Sequence, residues 1–102
     1  MRILDFIVSG QTLRCDPECD FTGIAPGSRG YLHARFSFSQ EWTGCKKVAL
    51  FYCRGKEFPA PLVKGVCVIP AEALVGSIVQ VSVEGRRGDF RITAGTAAFK
   101  QG

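Results

Sequence analysis

Tyr31-Leu32-His33-Ala34-Arg35-Phe36-Ser37-Phe38-Ser39 alternates without a break. Leu32, Ala34, Phe36 and Phe38 fall on one face, and Tyr31, His33, Arg35, Ser37 and Ser39 on the other. A period of two marks a strand with one side on a core and the other in water. Downstream, Gln40-Glu41-Trp42-Thr43-Gly44 makes a corner, and Lys46 to Arg54 forms the next strand. There Ala49, Phe51 and Cys53 alternate with Val48, Leu50 and Tyr52, so both faces are apolar. That pattern predicts a central strand covered on both sides. Upstream, Leu4, Phe6 and Val8 share one face of a strand from Arg2 to Val8. Ser9-Gly10-Gln11 turns the chain toward Thr12 to Cys15. Asp16 to Asp20 reads as a polar loop, and Phe21 to Ile24 as a short strand stopped by Pro26-Gly27-Ser28.

The C-terminal half keeps the same rhythm. Gly55-Lys56-Glu57 is a turn. Phe58 to Val63 is excluded from the centre of a sheet, because Pro59 and Pro61 have no N–H to donate. Gly65 leads into Val66-Cys67-Val68-Ile69, and Pro70 to Leu74 is the one short helical segment, with Pro at its first position and Gly76 ending it. Val79, Val81 and Val83 alternate with Gln80, Ser82 and Glu84. Gly85-Arg86-Arg87-Gly88 reads as a hairpin turn, Phe90 and Ile92 point inward on the return strand, and Gly95 separates it from Ala97-Ala98-Phe99. Val and Ile outnumber Leu, and twelve glycines and five prolines punctuate the chain at short intervals. These features predict an all-β fold, an antiparallel β-sandwich of about seven to nine short strands with one short helix. The 102 residues allow a single domain, 1–102.

Composition narrows the function classes. With 11% aromatic residues and a net charge of +4, the chain does not read as a disordered tail, and no apolar run approaches the ~20 residues that a membrane span needs. Asp5 and Ser9-Gly10 interrupt any apolar leader, so no signal peptide is expected. The 13 Lys and Arg come as small pairs beside turns: Lys46-Lys47, Arg54 with Lys56, Arg86-Arg87. A phosphate-gripping protein carries a denser basic face, and nucleic acid is not expected as a partner.

Residues with chemistry are few. Catalysis needs two placed groups in reach of each other, and the single histidine, His33, lies on the polar face of its strand with no cysteine brought beside it. The five cysteines are an odd number without a second close pair, which fits neither a disulfide framework nor a zinc site. Cys45, Cys53 and Cys67 read as small buried hydrophobes, and Cys15 and Cys19 as loop or core thiols. Asp16, Glu18 and Asp20 share a loop but lack the glycine turn and closing glutamate of a calcium loop. No catalytic, cofactor-binding or metal residue is assigned, and the chain is read as not an enzyme. Among the aromatics, Phe36, Phe38, Trp42 and Phe51 fall at core positions. Only Tyr31, Tyr52 and Phe58 are free to form a stacking platform for a sugar or base.

The run Phe36-Ser37-Phe38-Ser39-Gln40-Glu41-Trp42-Thr43-Gly44, followed by Lys47-Val48-Ala49-Leu50-Phe51, resembles the F-x-F-S-x-E-W-x-G…K-x-A-x-F signature of a family of small β-sandwich domains. The likeness continues through Cys67-Val68-Ile69-Pro70-Ala71-Glu72, Val81-Ser82-Val83-Glu84-Gly85 and Arg91-Ile92-Thr93. Those domains occur in structural proteins of tailed bacteriophages and prophages of Gram-positive bacteria. The resemblance implies a non-enzymatic virion component of tail, baseplate or head surface, with other phage structural proteins or further copies of itself as partners. In the family the domain usually precedes a longer region. Here Phe99-Lys100-Gln101-Gly102 follows the last strand, which predicts an adaptor, a decoration protein or, as the alternative, a small phage protein that binds and inhibits a host or defence protein.

Overall fold

The computed structural model describes every residue from Met1 to Gly102. Eight strands form where alternation is strongest: β1 (Arg2–Ser9), β2 (Thr12–Cys15), β3 (Leu32–Phe38), β4 (Lys46–Cys53), β5 (Lys56–Pro61), β6 (Val66–Val68), β7 (Ile78–Arg87) and β8 (Phe90–Lys100). They join in one sheet, in the order β5-β4-β7-β8-β2-β1-β3-β6, that curls into a nearly closed barrel. The fold is all-β, as the alternation requires. Its inward faces meet in one core, with Leu4 and Phe6 of β1, Phe36 of β3, Phe51 of β4 and Val81 of β7 all buried.

Two pairings are parallel, where the sequence suggested antiparallel neighbours throughout. β1 pairs with β3 from Arg2↔Leu32 to Val8↔Phe38, and β2 meets β8 only at Thr12↔Gly95. The loop between β2 and β3 causes the first. It carries the chain back to the end where β1 begins, so β3 must run alongside β1 in the same direction. An Arg2 N–H to Tyr31 carbonyl bond of 2.9 Å fixes that start. Phe21–Ile24 lies in this loop and forms no strand. Its apolar side chains close the barrel end, Phe21 edge-on to Phe6 at 5.5 Å with Ile24 buried. The Ile24 carbonyl accepts from Gly102 N–H instead of from a strand neighbour.

β5 is an edge, as its prolines predict. The Leu62 N–H donates to Lys47 carbonyl at 2.9 Å, which fixes the phase of the β4–β5 ladder. By the alternation of an antiparallel pair, Pro59 and Pro61 then turn their missing donors outward, where nothing is lost and no further strand is invited. The segment Pro70–Leu74 shortens to a single 3-10 turn at Ala71–Ala73, and a second 3-10 turn at Gln40–Trp42 makes the corner after β3.

Four hairpin loops have two residues each. Arg54-Gly55 (φ +53° and +76°) and Lys64-Gly65 (φ +53° and +77°) hold both residues left-handed, the type I′ form that matches strand twist. The other two are Gly10-Gln11, with Gly10 at φ +56°, and Gly88-Asp89, with Gly88 at φ +60°. Gly85, Arg86 and Arg87 belong to β7 and not to the turn in which the sequence placed them.

Candidate interaction surface

β4 is central, but its outer face is not covered. Ala49, Phe51 and Cys53 are buried, while Val48, Leu50 and Tyr52 remain half-buried on the outside of β5-β4-β7-β8. The register builds that outside face row by row. Lys46 stands opposite Arg86, and Arg86 opposite Arg91, so three cations lie abreast on three adjacent strands about 4.8 Å apart. The next row is Pro61, Val48, Glu84 and Thr93, and the one after it begins Pro59, Leu50, Ser82.

The β5–β6 turn extends the cation row. Lys64 joins Lys46 and Lys47 around a depression of about 450 Å³ whose floor includes Val48, Pro61 and Leu62. Glu84 is the one carboxylate ion-paired here, accepting from Arg86 at 2.9 Å and lying 3.4 Å from Arg91. Lys46 and Lys64 have no acidic partner. Lys47 is tied down, donating to Cys45 carbonyl at 3.2 Å with its ammonium 5.1 Å from the Phe38 ring centre. Beyond the row, a broad hollow of about 660 Å³ is lined by Leu50, Tyr52, Gln80, Ser82, Thr93 and their neighbours. Ser82 donates to the Tyr52 hydroxyl at 3.2 Å, beside a register shift in β7 between Val81 and Val83. Shifts of this kind locally re-aim side chains. With a depression between lysines that Val48, Pro61 and Leu62 line, and a mostly polar hollow beyond it that includes Glu57 and Glu84, this shallow face is suited to binding.

The residues weighed in the sequence for catalysis or metal binding lie elsewhere. His33 is half-buried, its Nδ1 3.4 Å from Tyr31 carbonyl. Asp16 and Asp20 turn their carboxylates onto their own loop. Asp16 accepts from Glu18 N–H at 2.9 Å, and Asp20 from Thr22 N–H at 2.8 Å and its hydroxyl at 2.5 Å. The Thr22 hydroxyl and N–H hold the Asp20 carboxyl below its usual range. No three His, Cys, Asp or Glu side chains converge as a metal site. Cys45, Cys53 and Cys67 are buried, and burial pushes the Cys67 thiol up to about 11. Cys15 is also raised, by burial and then by the neighbouring Cys19. Its Sγ donates to Ala98 carbonyl at 3.5 Å, while Cys19 Sγ accepts from Asp5 N–H at 3.4 Å. Arg35 grips Asp5 through two bonds of 2.6 and 3.1 Å, which raises its own pKa.

Trp42, Phe36 and Phe51 are core residues, and Phe38 packs half-buried against them. Tyr31 is 50% exposed and Tyr52 half-buried, but they belong to different halves of the sheet and form no joint platform.

The cation row was hidden by being read as separate pairs. Its one signal in the sequence is phase: Lys46 shares the outward parity of Val48 and Leu50, and Arg86 that of Glu84. Only register brings the two series together. Compared with protein-family models, with curated proteins and with solved structures, the chain has no match in any of the three.

Proposed function

We propose that the protein is a non-enzymatic structural or assembly module of a tailed-phage or prophage particle, located in the virion and working through protein–protein contacts. The observation that carries this reading is the outer face of β5-β4-β7-β8. It is broad, shallow and floored by Val48, Leu50 and Pro61, a shape that fits another protein's surface better than a small substrate, which needs an enclosing pocket. The viral context rests on the likeness of Phe36–Gly44, Ile69–Glu72 and Arg91–Thr93 to the phage domains. Those motif residues have architectural work here: Phe36 and Ile69 fill the core and Trp42 plugs one barrel end.

Immunogold labelling and peptide mapping of purified particles test the proposal. The protein is expected in the particle at fixed stoichiometry. Recovery only from the soluble lysate, bound one-to-one to a host protein, replaces this reading with that of a host-directed inhibitor.

A further inference from the structure

Resting on the assembly reading above, we infer that the stripe Lys64–Lys46–Arg86–Arg91 docks an extended, acidic and apolar segment of a partner protein laid across the strands. Four successive elements each contribute one cation: the β5–β6 turn, β4, β7 and β8.

Like charges directly opposite one another destabilise a sheet, yet here two such pairs share Arg86. Glu84 alone offsets them, and it is already engaged by both arginines. Lys46 and Lys64 are left with no acid at all. Moreover, Lys64 occupies a left-handed position, φ +53°, where Asn or Gly is the unstrained choice. A cation kept at a strained site, beside other cations that repel it, is a local cost without a local return. An anionic partner supplies that return.

The floor beside the stripe selects the class of anion. Val48, Pro61 and Leu62 line the depression with no aromatic side chain among them, and the one aromatic of the neighbouring hollow, Tyr52, is half-buried with its hydroxyl held by Ser82. Single-stranded nucleic acid is held by stacking platforms as well as by charge. Apolar side chains between carboxylates fit this floor, and those belong to a protein segment. Strands spaced about 4.8 Å apart make the stripe about 15–20 Å long, the span of roughly five or six extended residues.

The test titrates the full-length, ¹⁵N-labelled protein with a synthetic peptide of about eight residues alternating Glu and Leu, and separately with oligothymidylate of similar length. The peptide is expected to shift the amides of Lys46–Val48, Leu62–Gly65 and Glu84–Arg86, with affinity falling about tenfold as salt rises from about 0.05 to about 0.5 M. Lys46→Glu with Lys64→Glu should weaken it at least about tenfold, whereas Lys56→Glu with Lys100→Glu, at the other end of the barrel, should not. All four residues are exposed, so melting temperatures should stay close to wild type.

Equal binding by the two double variants, peptide shifts outside the stripe, no shifts at all, or stronger shifts of the same amides by oligothymidylate would each overturn the inference. Particle labelling scores the parent reading separately. A protein that binds the peptide through the stripe but is missing from particles fails the virion reading alone. One that is built into particles equally well with Lys46→Glu and Lys64→Glu fails this inference alone.

Discussion

The six-membered ring of Trp42 rests on the Cα of Gly85. A Cβ at Gly85 would stand 2.8 Å from Cε3 of that ring, 2.9 Å from Cζ3 and 3.2 Å from the Cys45 Cβ. The indole is fully buried, and its Nε1 donates to the Gly10 carbonyl at 2.9 Å. One side chain therefore ties the β1–β2 turn, the corner after β3 and strand β7 together at one end of the barrel. The cation stripe lies across that same end, on the outer side of β7. Its register depends on the Trp42 plug, because a shift of β7 moves Arg86 relative to Lys46.

Gly85→Ala is therefore expected to destabilise the protein by about 1–3 kcal/mol, the range for forcing an extra carbon into a packed core. Trp42→Ala, which empties the plug, should cost about 3–5 kcal/mol and leave little folded protein. Denaturant titration of both variants is the check. Gly85 has no positive φ, so alanine brings no backbone strain of its own, and a Gly85→Ala midpoint equal to wild type would mean that the ring does not lie against β7.

The two type I′ turns give a prediction of the opposite sign. Arg54 and Lys64 each hold φ at +53°, a region in which asparagine is comfortable and a long side chain is not. Lys64→Asn should raise stability by up to about 1 kcal/mol while weakening the acidic-peptide binding proposed above. Arg54→Asn also relieves its turn but gives up the Arg54 bond to Val75 carbonyl at 3.2 Å, so its gain should be smaller. Thermal melts of the two variants side by side decide the order. A Lys64→Asn protein less stable than wild type would show that the lysine is not strained.

Much of this was legible in the sequence because each reading was local. β3 and β7 announce themselves through one wet face, β1 through the shared face of Leu4, Phe6 and Val8, and Pro59 and Pro61 mark the edge without reference to any partner. What stayed hidden depends on distant neighbours. Gly85 looked like a turn glycine because the ring it must admit comes from 43 positions earlier, counting Trp42 to Gly85 along the chain. Phe21–Ile24 looked like a strand because apolar residues that cap a barrel end and those that line a sheet read alike over four positions. The parallel β1–β3 pairing follows from where a long loop delivers the chain, which no periodicity records. The outer face of β4 is half-open for the same reason: an apolar face predicts a cover, but not whether the cover belongs to the same chain.

Cys67 sets an alkaline limit. Burial raises its pKa in the folded state to about 11, against an ordinary value of 9.0. Between those values the unfolded chain loses this proton and the native protein keeps it, so the unfolded state is favoured as pH rises. The stabilisation is complete below about pH 9 and is lost on the way to about pH 11, amounting to roughly 2 kcal/mol. Urea midpoints of wild type and Cys67→Ala at about pH 8 and about pH 11 isolate it. The gap between the two proteins should narrow at the higher pH, and a constant gap would mean that the thiol ionises as freely in the native state.

The seam between β2 and β8 is the last place where the geometry makes a measurable claim. Only Thr12↔Gly95 pairs there, and side chains stand in for the missing ladder: Gln11 Nε2 donates to Thr93 carbonyl at 3.2 Å and Cys15 Sγ to Ala98 carbonyl at 3.5 Å. By contrast, β7 is paired with β8 from Ile78 to Arg87 apart from the shift at Ser82, and with β4 from Gln80 to Arg86. Segments with fewer backbone bonds open first, so the amides of β2 should exchange with solvent well before those of β7. Gln11→Ala removes one of the two staples and should speed exchange at Leu13 and Cys15 by about three- to tenfold, the worth of one exposed hydrogen bond, while Val81 and Val83 keep their protection. Identical acceleration at β2 and β7 would show that the barrel opens as one unit and that the seam is as strong as the rest of the sheet.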